Sequence, residues 1–340
     1  MRQIWITRAG PPEVLEVKEA ASDPEPKSGE VRIRVEASGV NFADILGRMG
    51  LYPDLPPIPV VPGYEVAGRV DAAAAGLDDW VGRDVVAMTR FGGYADIVCV
   101  PVKQLFARPA GMSALEGAAL PVNYFTAWQL IVVMGGLKRN ETVLVHSAGG
   151  GVGIAATQIA KHLGARVIGT ASAAKHAELR ALGVDDLIDY RTEDFETRAR
   201  QITGGRGVDL ILDPVGGESW RKGYRLLAPA GRLGAYGLSA AAAGKARSLI
   251  GTLTVLGRIP WFQFNPLALM GANKGVFGVN LGHMWGEIDR IREWADRLFD
   301  LWKQGVVKPK IAKTFRFNEA VQAHHFIQDR RNIGKVLLVP

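Results

Sequence analysis

The pattern of apolar and polar positions changes near residue 142. Before it, short runs such as 31–37 (VRIRVEA) and 94–100 (YADIVCV) alternate apolar and polar residues, and segments rich in Gly and Pro, such as 50–65, separate them. Alternation over five to seven residues is typical of half-buried antiparallel strands. The first part of the chain is therefore predicted to form a small, β-rich, barrel-like domain.

From Thr142 onward, short apolar strands alternate with helical segments. The strand candidates are 142–146, 166–170, 186–190, 208–213, 232–237 and 275–281, and the helices between them cover 151–163, 174–182, 193–202 and 217–227. Parallel strands need crossover connections, which place helices on both faces of one sheet. This part is predicted to be an α/β, doubly wound nucleotide-binding domain.

The end of the chain returns to a different pattern. Apolar residues at helical spacing predict a helix over 287–304, which Gly305 ends, and then strands at 313–317 and 335–340 around a helix near 318–329. The simplest assembly returns this tail to the first domain. The predicted division is 1–122 with 284–340 for the catalytic domain, and 123–283 for the nucleotide-binding domain.

Composition restricts the class of protein. A chain of 340 residues with 48% hydrophobic and 22% charged residues is globular and long enough for two domains. Its formal charge of +7 suits nucleic acid, an acidic membrane face or a phosphorylated cofactor. It has no dense Lys/Arg block of the kind that binds DNA, so no DNA partner is expected. RNA or membrane-surface contact stays open.

Targeting signals and cysteines point to the cytoplasm. The N-terminal segment lacks the apolar core of a secretory signal, and the uncharged stretch 117–137 is interrupted by polar residues and Pro121. The single cysteine, Cys99, excludes an intrachain disulfide and a four-cysteine zinc lobe. We therefore expect a cytoplasmic protein.

The segment 146–165 (HSAGGGVGIAATQIAKHLGA) carries a glycine-rich turn. Ala148, Gly150 and Gly153 take the three glycine positions of a G-x-G-x-x-G turn between a strand and a helix. Such a turn lets the backbone approach a pyrophosphate at the helix N-terminus, and the βα units that follow favour this over an ordinary tight turn. The predicted cofactor-binding residues of the turn are Ser147, Gly149, Gly150, Gly151, Val152 and Gly153.

The end of the second nucleotide-domain strand predicts which cofactor binds. An NAD site places an acidic residue about 20 residues past the glycines, but the segment 169–176 (GTASAAKH) contains none. The Ser172 hydroxyl and the Lys175 ammonium suit a 2′-phosphate, and Tyr190 beside Arg191 adds a second hydroxyl. NADP(H) is therefore the predicted cofactor. The alternative is that Lys175 only begins an exposed helix.

Further motifs are spread along the chain: SGVNFAD (38–44), PGYEVAG (62–68), VGRDVVA (81–87), GGYADIV (92–98), DPVGG (213–217) and NIGKVLLV (332–339). Together they resemble the medium-chain dehydrogenase/reductase superfamily over essentially the full length. The chain is most similar to the zinc-independent quinone oxidoreductases and, in its C-terminal half, to the branch of the synaptic vesicle membrane protein VAT-1 homologues. The resemblance implies a GroES-like catalytic domain, a Rossmann domain and a homodimer built through edge strands of the nucleotide domain.

Zinc alcohol dehydrogenases of this superfamily carry a Cys and a His in the first two motifs. This chain has Asn41 and Tyr64 there, and Val122 stands near the third ligand position. Because three ligands are missing together, no metal is predicted. Without a Lewis acid, alcohol oxidation is disfavoured, and hydride transfer to an electron-poor quinone or α,β-unsaturated carbonyl remains.

The resemblance also implies roles for single residues. Asn41 would donate its amide beside the nicotinamide, Asp44 would orient the same loop, and Tyr52 takes the position of the proton-donor tyrosine of enoyl-thioester reductases. Tyr64 would border the same cleft. Further cofactor contacts are implied for Thr126, Val215, Tyr236, Phe277, Val279, Asn280, Asn332 and Lys335. For each of these residues, an ordinary packing role is the alternative.

Two questions stay open. The first is whether the protein is a quinone or enone reductase, a 2-enoyl thioester reductase, or a non-catalytic protein that holds NADPH and binds lipid or RNA. The second concerns the apolar stretch 248–270, which suits a lid or pocket wall for a bulky apolar substrate, a membrane-surface element or a dimer interface.

Overall fold

The computed structural model describes residues 1–242, 257 and 264–340. The strands in these ranges are β1 (Arg2–Ile6), β2 (Leu15–Glu19), β3 (Glu30–Val40), β4 (Glu65–Ala73), β5 (Asp84–Met88), β6 (Ile97–Pro101), β7 (Leu105–Ala107), β8 (Thr142–Val145), β9 (Arg166–Ala171), β10 (Asp186–Asp189), β11 (Val208–Asp213), β12 (Leu227–Ala235), β13 (Gly275–Gly278), β14 (Ile311–Arg316) and β15 (Lys335–Val339). The helices are α1 (Phe42–Arg48), α2 (Ala114–Ala119), α3 (Pro121–Trp128), α4 (Gly151–His162), α5 (His176–Ala181), α6 (Phe195–Ile202), α7 (Glu218–Leu226), α8 (Pro266–Ala272), α9 (Ile288–Lys303) and α10 (Ala320–Gln328).

The first sheet has β3 at its centre. Its strand order is β14-β15-β3-β4-β5-β7, and β6 also pairs with β3. These pairs are antiparallel except for β14 and β15, which run parallel. Alternate residues of β3, Val31, Ile33 and Val35, point into the core, which is why the sequence alternates there. The predicted β-rich domain is confirmed, and β3 is longer than the 31–37 predicted for it.

The second sheet is parallel and has the order β10-β9-β8-β11-β12-β13 within the described ranges. From β8 the chain runs outward to β9 and β10, and then crosses back to β11 on the other side of β8. The predicted α/β, doubly wound domain is therefore confirmed. The carboxyl end of β8 is the switch point of such a sheet, where ligands bind in this fold class.

Two strands of the second sheet differ from the prediction. Strand β13 ends at Gly278, three positions before the predicted end at 281. Strand β12 begins at Leu227, five positions before the predicted start at 232, and its register against β11 shifts between the Val208–Leu227 and Leu210–Arg232 pairs. Pro229 and the left-handed Ala230 (φ 62°) interrupt the strand at this point. Because they break the apolar run, the pattern placed the start of the strand too late.

The tail joins both sheets. Strand β15 pairs with β3, so the end of the chain returns to the first sheet as expected. Helix α9 instead packs its Trp294, Leu298 and Phe299 into the core that contains Val143 of β8. Because this core also contains Met88 of β5 and Phe106 of β7, and Arg292 of α9 donates to the Leu105 carbonyl oxygen at 3.3 Å, α9 packs against both sheets. The exact domain boundary stays a prediction.

The apolar stretch 248–270 lies mostly outside the described residues. Of its described part, α8 exposes Leu267 and Met270 at 79% and 76% of their surfaces. Within the described ranges, no helix combines the length and apolar character that crossing a membrane requires.

Candidate functional site

The glycine turn lies at the switch point, between β8 and α4. Its Ser147 has a left-handed backbone (φ 55°), and the Ser147 carbonyl oxygen accepts the Gly150 N–H at 2.8 Å. A Cβ atom on Gly153 would lie 2.5 Å from the same carbonyl oxygen, so α4 packs against the turn at a distance that only glycine permits. Gly150 is the N-cap of α4. This is the form of a pyrophosphate-binding turn at a helix N-terminus.

Two further residues of the turn are fixed by close neighbours. Gly151 lies directly against the Asn123 amide and leaves no room for a Cβ atom there, whereas the Val152 side chain packs on the core of the second sheet. Ser147 is exposed beyond the end of β8. The turn therefore presents its backbone, more than its side chains, to the crevice.

The tail of the chain touches this turn. The Gly334 N–H donates to the Gly149 carbonyl oxygen at 2.9 Å, and the Lys175 ammonium donates to the Asn332 carbonyl oxygen at 2.6 Å. The Lys175 side chain lies across Gly149 on its way to Asn332. Asn332, one of the predicted cofactor contacts, therefore lies beside the phosphate turn.

Cations gather around Tyr190 at the carboxyl end of the outer strands. The Arg330 guanidinium lies 3.4 Å from the Tyr190 hydroxyl and 5.6 Å from the ring centroid. Burial would raise the pKa of Tyr190, but hydrogen bonding and charge from Arg330 and Arg191 lower it overall. Burial, together with Arg191 and Arg330, lowers the pKa of Lys175. Ser172 is buried where the chain leaves β9.

Sequence reasoning did not find Arg330. It lies 140 positions from Tyr190 along the chain, so no local spacing connects the two. The available signal was indirect. It consisted of the Arg330–Arg331 pair directly before the NIGKVLLV motif, and the expectation that the tail returns across the molecule.

A buried polar cluster lies under Asn41. The Lys335 ammonium donates to Asn41 Oδ1 at 2.6 Å and to Glu65 Oε1 at 2.5 Å, and the Asn41 amide nitrogen donates to the same Glu65 oxygen at 2.9 Å. Glu65 also accepts the Val122 N–H at 2.7 Å. Glu65 is fully buried and Lys335 nearly so. The ammonium fixes which way the Asn41 amide points. Sequence reasoning missed Glu65, although it follows Tyr64 directly.

Asp44 connects the two loops that border the cleft. Its carboxylate accepts the Asn41 N–H at 2.8 Å and the Gly63 N–H at 3.0 Å. Burial raises the pKa of Asp44 to about 7, although these hydrogen bonds and the Lys335 charge oppose the rise. Asp44 is placed to orient the Asn41 loop, because its contacts hold backbone N–H groups rather than the open cleft.

Aromatic side chains form part of the walls of a separate cleft, which Tyr52 and Tyr64 border. The Tyr52 and Tyr64 ring centroids are 6.1 Å apart, and those of Tyr64 and Phe91 are 5.4 Å apart. The lining residues are Tyr52, Asp54, Tyr64, Arg90, Phe91, Gly282, His283 and Trp285. Burial and the charges of Asp54 and Asp44 raise the pKa of Tyr52, so its phenol is protonated at neutral pH.

Polar groups in this cleft differ in their contacts. The Tyr64 hydroxyl is buried, and its neighbours are the Tyr52 phenol and the Asp44 and Asp54 carboxylates. At the mouth, His283 Nε2 lies 2.8 Å from Asp54 Oδ2, which joins the loop after α1 to the segment after β13. The cleft is therefore bordered by both halves of the molecule.

The other predicted contacts lie at the carboxyl ends of the parallel strands. Val215, Tyr236 and Val279 follow β11, β12 and β13, and each backbone N–H is held there by a neighbouring acceptor. The Phe277 ring covers Gly234, and Asn280 Nδ2 lies 3.5 Å from Asp54 Oδ2. Thr126 is buried on α3. The fold thus gathers these residues along one edge, while Lys175 and Tyr190 lie beyond the glycine turn.

Comparison with protein families matches two separate parts of the chain. The alcohol dehydrogenase GroES-like domain matches residues 27–110, within the first sheet. The zinc-binding dehydrogenase model matches residues 182–338, from just after α5 into β15. A GroES-like sheet joined to a doubly wound sheet with a glycine turn at its switch point defines a two-domain oxidoreductase with a dinucleotide-binding fold.

Whole-chain relatives give the family. The synaptic vesicle membrane protein VAT-1 homolog of Rattus norvegicus is 42% identical over 324 residues, 94% of this chain and 79% of that protein. This chain belongs to the medium-chain dehydrogenase/reductase superfamily, in the branch of the VAT-1 homologues. The family and the fold predicted from the motifs are therefore confirmed.

Solved structures share the complete fold. The Escherichia coli quinone oxidoreductase complexed with NADPH has a TM-score of 0.87 at 29% identity, covering 100% of both chains. The CurK enoyl reductase has a TM-score of 0.83 at 27% identity, covering 99% of this chain and 98% of that one.

The buried cluster leads to a stability prediction. Replacing Lys335→Met leaves the Glu65 carboxylate buried without its ammonium, and we expect a loss of about 3–5 kcal/mol in the free energy of unfolding. The double variant Glu65→Gln/Lys335→Met should lose clearly less, because no unpaired charge remains. Urea denaturation of the two variants measures both values.

The matched control for this prediction is Lys161→Met, which removes an ammonium from an exposed pair with Asp185. Its expected cost is about 1 kcal/mol or less. A Lys335→Met protein as stable as the control would contradict the role given to the buried cluster.

Proposed function

We propose that this chain is an NADPH-dependent oxidoreductase that transfers a hydride to a quinone or an α,β-unsaturated carbonyl without a metal ion. The observation that carries the proposal is the set of cations around Tyr190, joined to the glycine turn by the returning tail. The acceptor would lie in the aromatic cleft that Tyr52 and Tyr64 border. Its aromatic walls suit a flat, electron-poor ring or enone, and its polar groups can hydrogen-bond the carbonyl oxygen of that acceptor.

The preference for NADPH rests on charge. Lys175, Arg191 and Arg330 lie around Tyr190, which follows β10 next to the end of β9, where an NAD site carries an acid. A 2′-phosphate carries close to two negative charges, and hydrogen bonds between such charges and cations are among the strongest in proteins. The Lys175 ammonium uses one of its three donors on Asn332, so donors remain for the phosphate. The NADPH complex of the similar E. coli enzyme supports the same choice.

The residues of this chain supply position and hydrogen bonds. NADPH, when bound, supplies the hydride. The Asn41 amide is held by Lys335 and Glu65 in one orientation. The buried Tyr64 hydroxyl and the protonated Tyr52 phenol are donors for an oxygen of the acceptor that becomes negative as the hydride arrives.

The residues at the zinc-ligand positions of the superfamily support chemistry without zinc. Asn41, Tyr64 and Val122 stand where a catalytic zinc would need Cys or His ligands, and the Asn41 amide is already engaged by two neighbours. Across residues 1–242 and 264–340, no three His, Cys, Asp or Glu side chains come together as metal ligands would. These residues do not fit a zinc site, although the matching family model is described as a zinc-binding dehydrogenase.

Other parts of the proposal rest on resemblance. We propose a homodimer built through β13, which lies at one edge of the second sheet in the described ranges. A cytoplasmic location stays a prediction. A non-catalytic lipid- or RNA-binding role is distinguished by NADPH consumption, because such a protein would bind NADPH without oxidising it across a panel of acceptors.

The phosphate assignment predicts a selective effect. Replacing Lys175→Ala should raise the NADPH dissociation constant roughly 10- to 100-fold, the value of one charge-assisted hydrogen bond, and should change that for NADH about threefold at most. Calorimetric titration of both cofactors gives the two constants. Arg330→Ala should show the same selectivity.

Lys161→Ala is the control, because this lysine pairs with Asp185 at a distance from the turn. It should leave both constants unchanged. Equal weakening of NADPH and NADH binding by Lys175→Ala would contradict the phosphate assignment.

A 2-enoyl thioester is the second candidate acceptor, because the fold matches CurK enoyl reductase and Tyr52 borders the cleft. If Tyr52 is the proton donor, Tyr52→Phe should lower kcat for a 2-enoyl thioester about 100-fold or more, and should affect an aromatic quinone much less. Steady-state assays with both acceptors measure this. Tyr124→Phe, which removes another buried hydroxyl, is the control. Unchanged turnover of both acceptors in Tyr52→Phe would remove Tyr52 from the mechanism.

A further inference from the structure

A buried hydrogen-bonded chain connects the cleft loop to the C-terminal helix. The Tyr94 hydroxyl lies 3.2 Å from Asp44 Oδ2 and 3.3 Å from His324 Nε2. All three side chains are almost completely buried, and the Tyr94 and His324 rings meet edge to face with centroids 6.0 Å apart. One turn further along α10, Gln328 accepts a hydrogen bond from Arg48 at 2.6 Å. Helix α10 is therefore joined to α1 at two residues, directly at Arg48 and through Tyr94 at Asp44.

The single hydroxyl proton of Tyr94 allows two arrangements. In the first, Tyr94 donates to an ionised Asp44 and accepts a hydrogen bond from a proton on His324 Nε2. In the second, a protonated Asp44 donates to Tyr94, Tyr94 donates to His324 Nε2, and the imidazole proton sits on Nδ1. The two arrangements place the His324 proton on opposite ring nitrogens.

The surroundings of His324 favour the first arrangement. Its Nδ1 is buried without a hydrogen-bond partner among the described residues. A proton on Nδ1 would be an orphaned donor, and buried N–H groups without a partner are rarer than under-satisfied acceptors. Burial, with the neighbouring Arg48 and His325, moves the pKa of His324 well below its ordinary value. The ring is therefore neutral.

We propose that His324, as the neutral Nε2–H tautomer, is a positioning residue for the cleft. It donates to Tyr94, so the Tyr94 hydroxyl points at Asp44 and holds the ionised carboxylate on the Asn41 and Gly63 N–H groups. His324 touches neither cofactor nor acceptor, and acts only through Tyr94 and Asp44. The part of this inference that concerns turnover rests on the proposed function, whereas the tautomer does not.

The charged groups facing this chain come from several elements. Lys335 of β15 faces Asp44, and Tyr64 and Glu65 face Tyr94. Arg48 of α1 and His325 face His324. Of these neighbours, Lys335 favours an ionised Asp44. The His324 donor acts in the same direction through Tyr94.

The direction in which kcat/KM changes with pH follows from the ionisation of Asp44. Because burial raises the pKa of Asp44 to about 7, the ionised form that accepts all three donors becomes populated only as the pH rises through that value. If this form holds the cleft loop, kcat/KM should increase with pH over the same range. Removing the His324 donor should move this increase in kcat/KM, the acid limb of the pH profile, to higher pH.

The first test needs no activity. Long-range ¹H–¹⁵N spectra of the cofactor-free protein, with ¹⁵N-labelled histidine and His324→Gln for assignment, show which ring nitrogen of His324 carries the proton. We expect a neutral Nε2–H ring at about pH 8 to 8.5, where Asp44 is ionised. A proton on Nδ1, or an imidazolium, would overturn the proposal whether or not the protein turns over NADPH.

The second test compares variants by the pH profile of kcat/KM. His324→Phe and Tyr94→Phe should raise the pKa of the acid limb by roughly 0.5–1 unit, the equivalent of one neutral hydrogen bond. His324→Gln, whose amide can donate in place of Nε2, should restore the limb. Tyr124→Phe, a buried tyrosine bonded to Gln158, is the control and should leave it unchanged. If the acid limb stays in place in both phenylalanine variants, His324 has no positioning role.

Discussion

The buried ammonium of Lys335 is the contact on which the site depends. It lies between the side chains of Asn41 and Glu65, which are distant from Lys335 in sequence. The Lys335 side chain is nearly inaccessible to water. Taking two charges out of water is costly, so this contact persists only where the geometry satisfies both partners. Three residues before Lys335, Asn332 meets the glycine turn through Lys175. The same short segment therefore fixes the cleft loop and the phosphate turn.

This arrangement explains how two independent sheets make one site. The second sheet carries the glycine turn at its switch point, and the first sheet carries Asn41 and the Tyr52–Tyr64 pair that lines the aromatic cleft. The pair formed by His283 and Asp54 adds a contact across the mouth of the cleft. Positioning of this kind is what a hydride transfer needs from the protein, because the cofactor itself carries the reactive electrons.

The sequence predicted those features that depend on local pattern. Short buried strands between helices allow only a parallel sheet, and Gly153 marks a turn that a Cβ atom would disrupt. Contacts between distant segments could not be predicted in this way. Glu65 stands beside a motif residue without showing that Lys335 will reach it, and Arg330 is 140 positions from Tyr190. His324, one of two adjacent histidines, has nothing in its spacing that connects it to Tyr94.

In the proposed reaction, hydride passes from NADPH to an electron-poor acceptor in a site built from Asn41, Tyr52 and Tyr64, with no coordinated zinc. The most direct measurement is NADPH oxidation with an aromatic quinone before and after dialysis against a strong chelator, with the metal content of each sample determined. We expect no stoichiometric zinc in either sample and the same rate of NADPH oxidation before and after dialysis. One zinc ion per chain, with activity lost on its removal and recovered when zinc is returned, would contradict the proposed reaction.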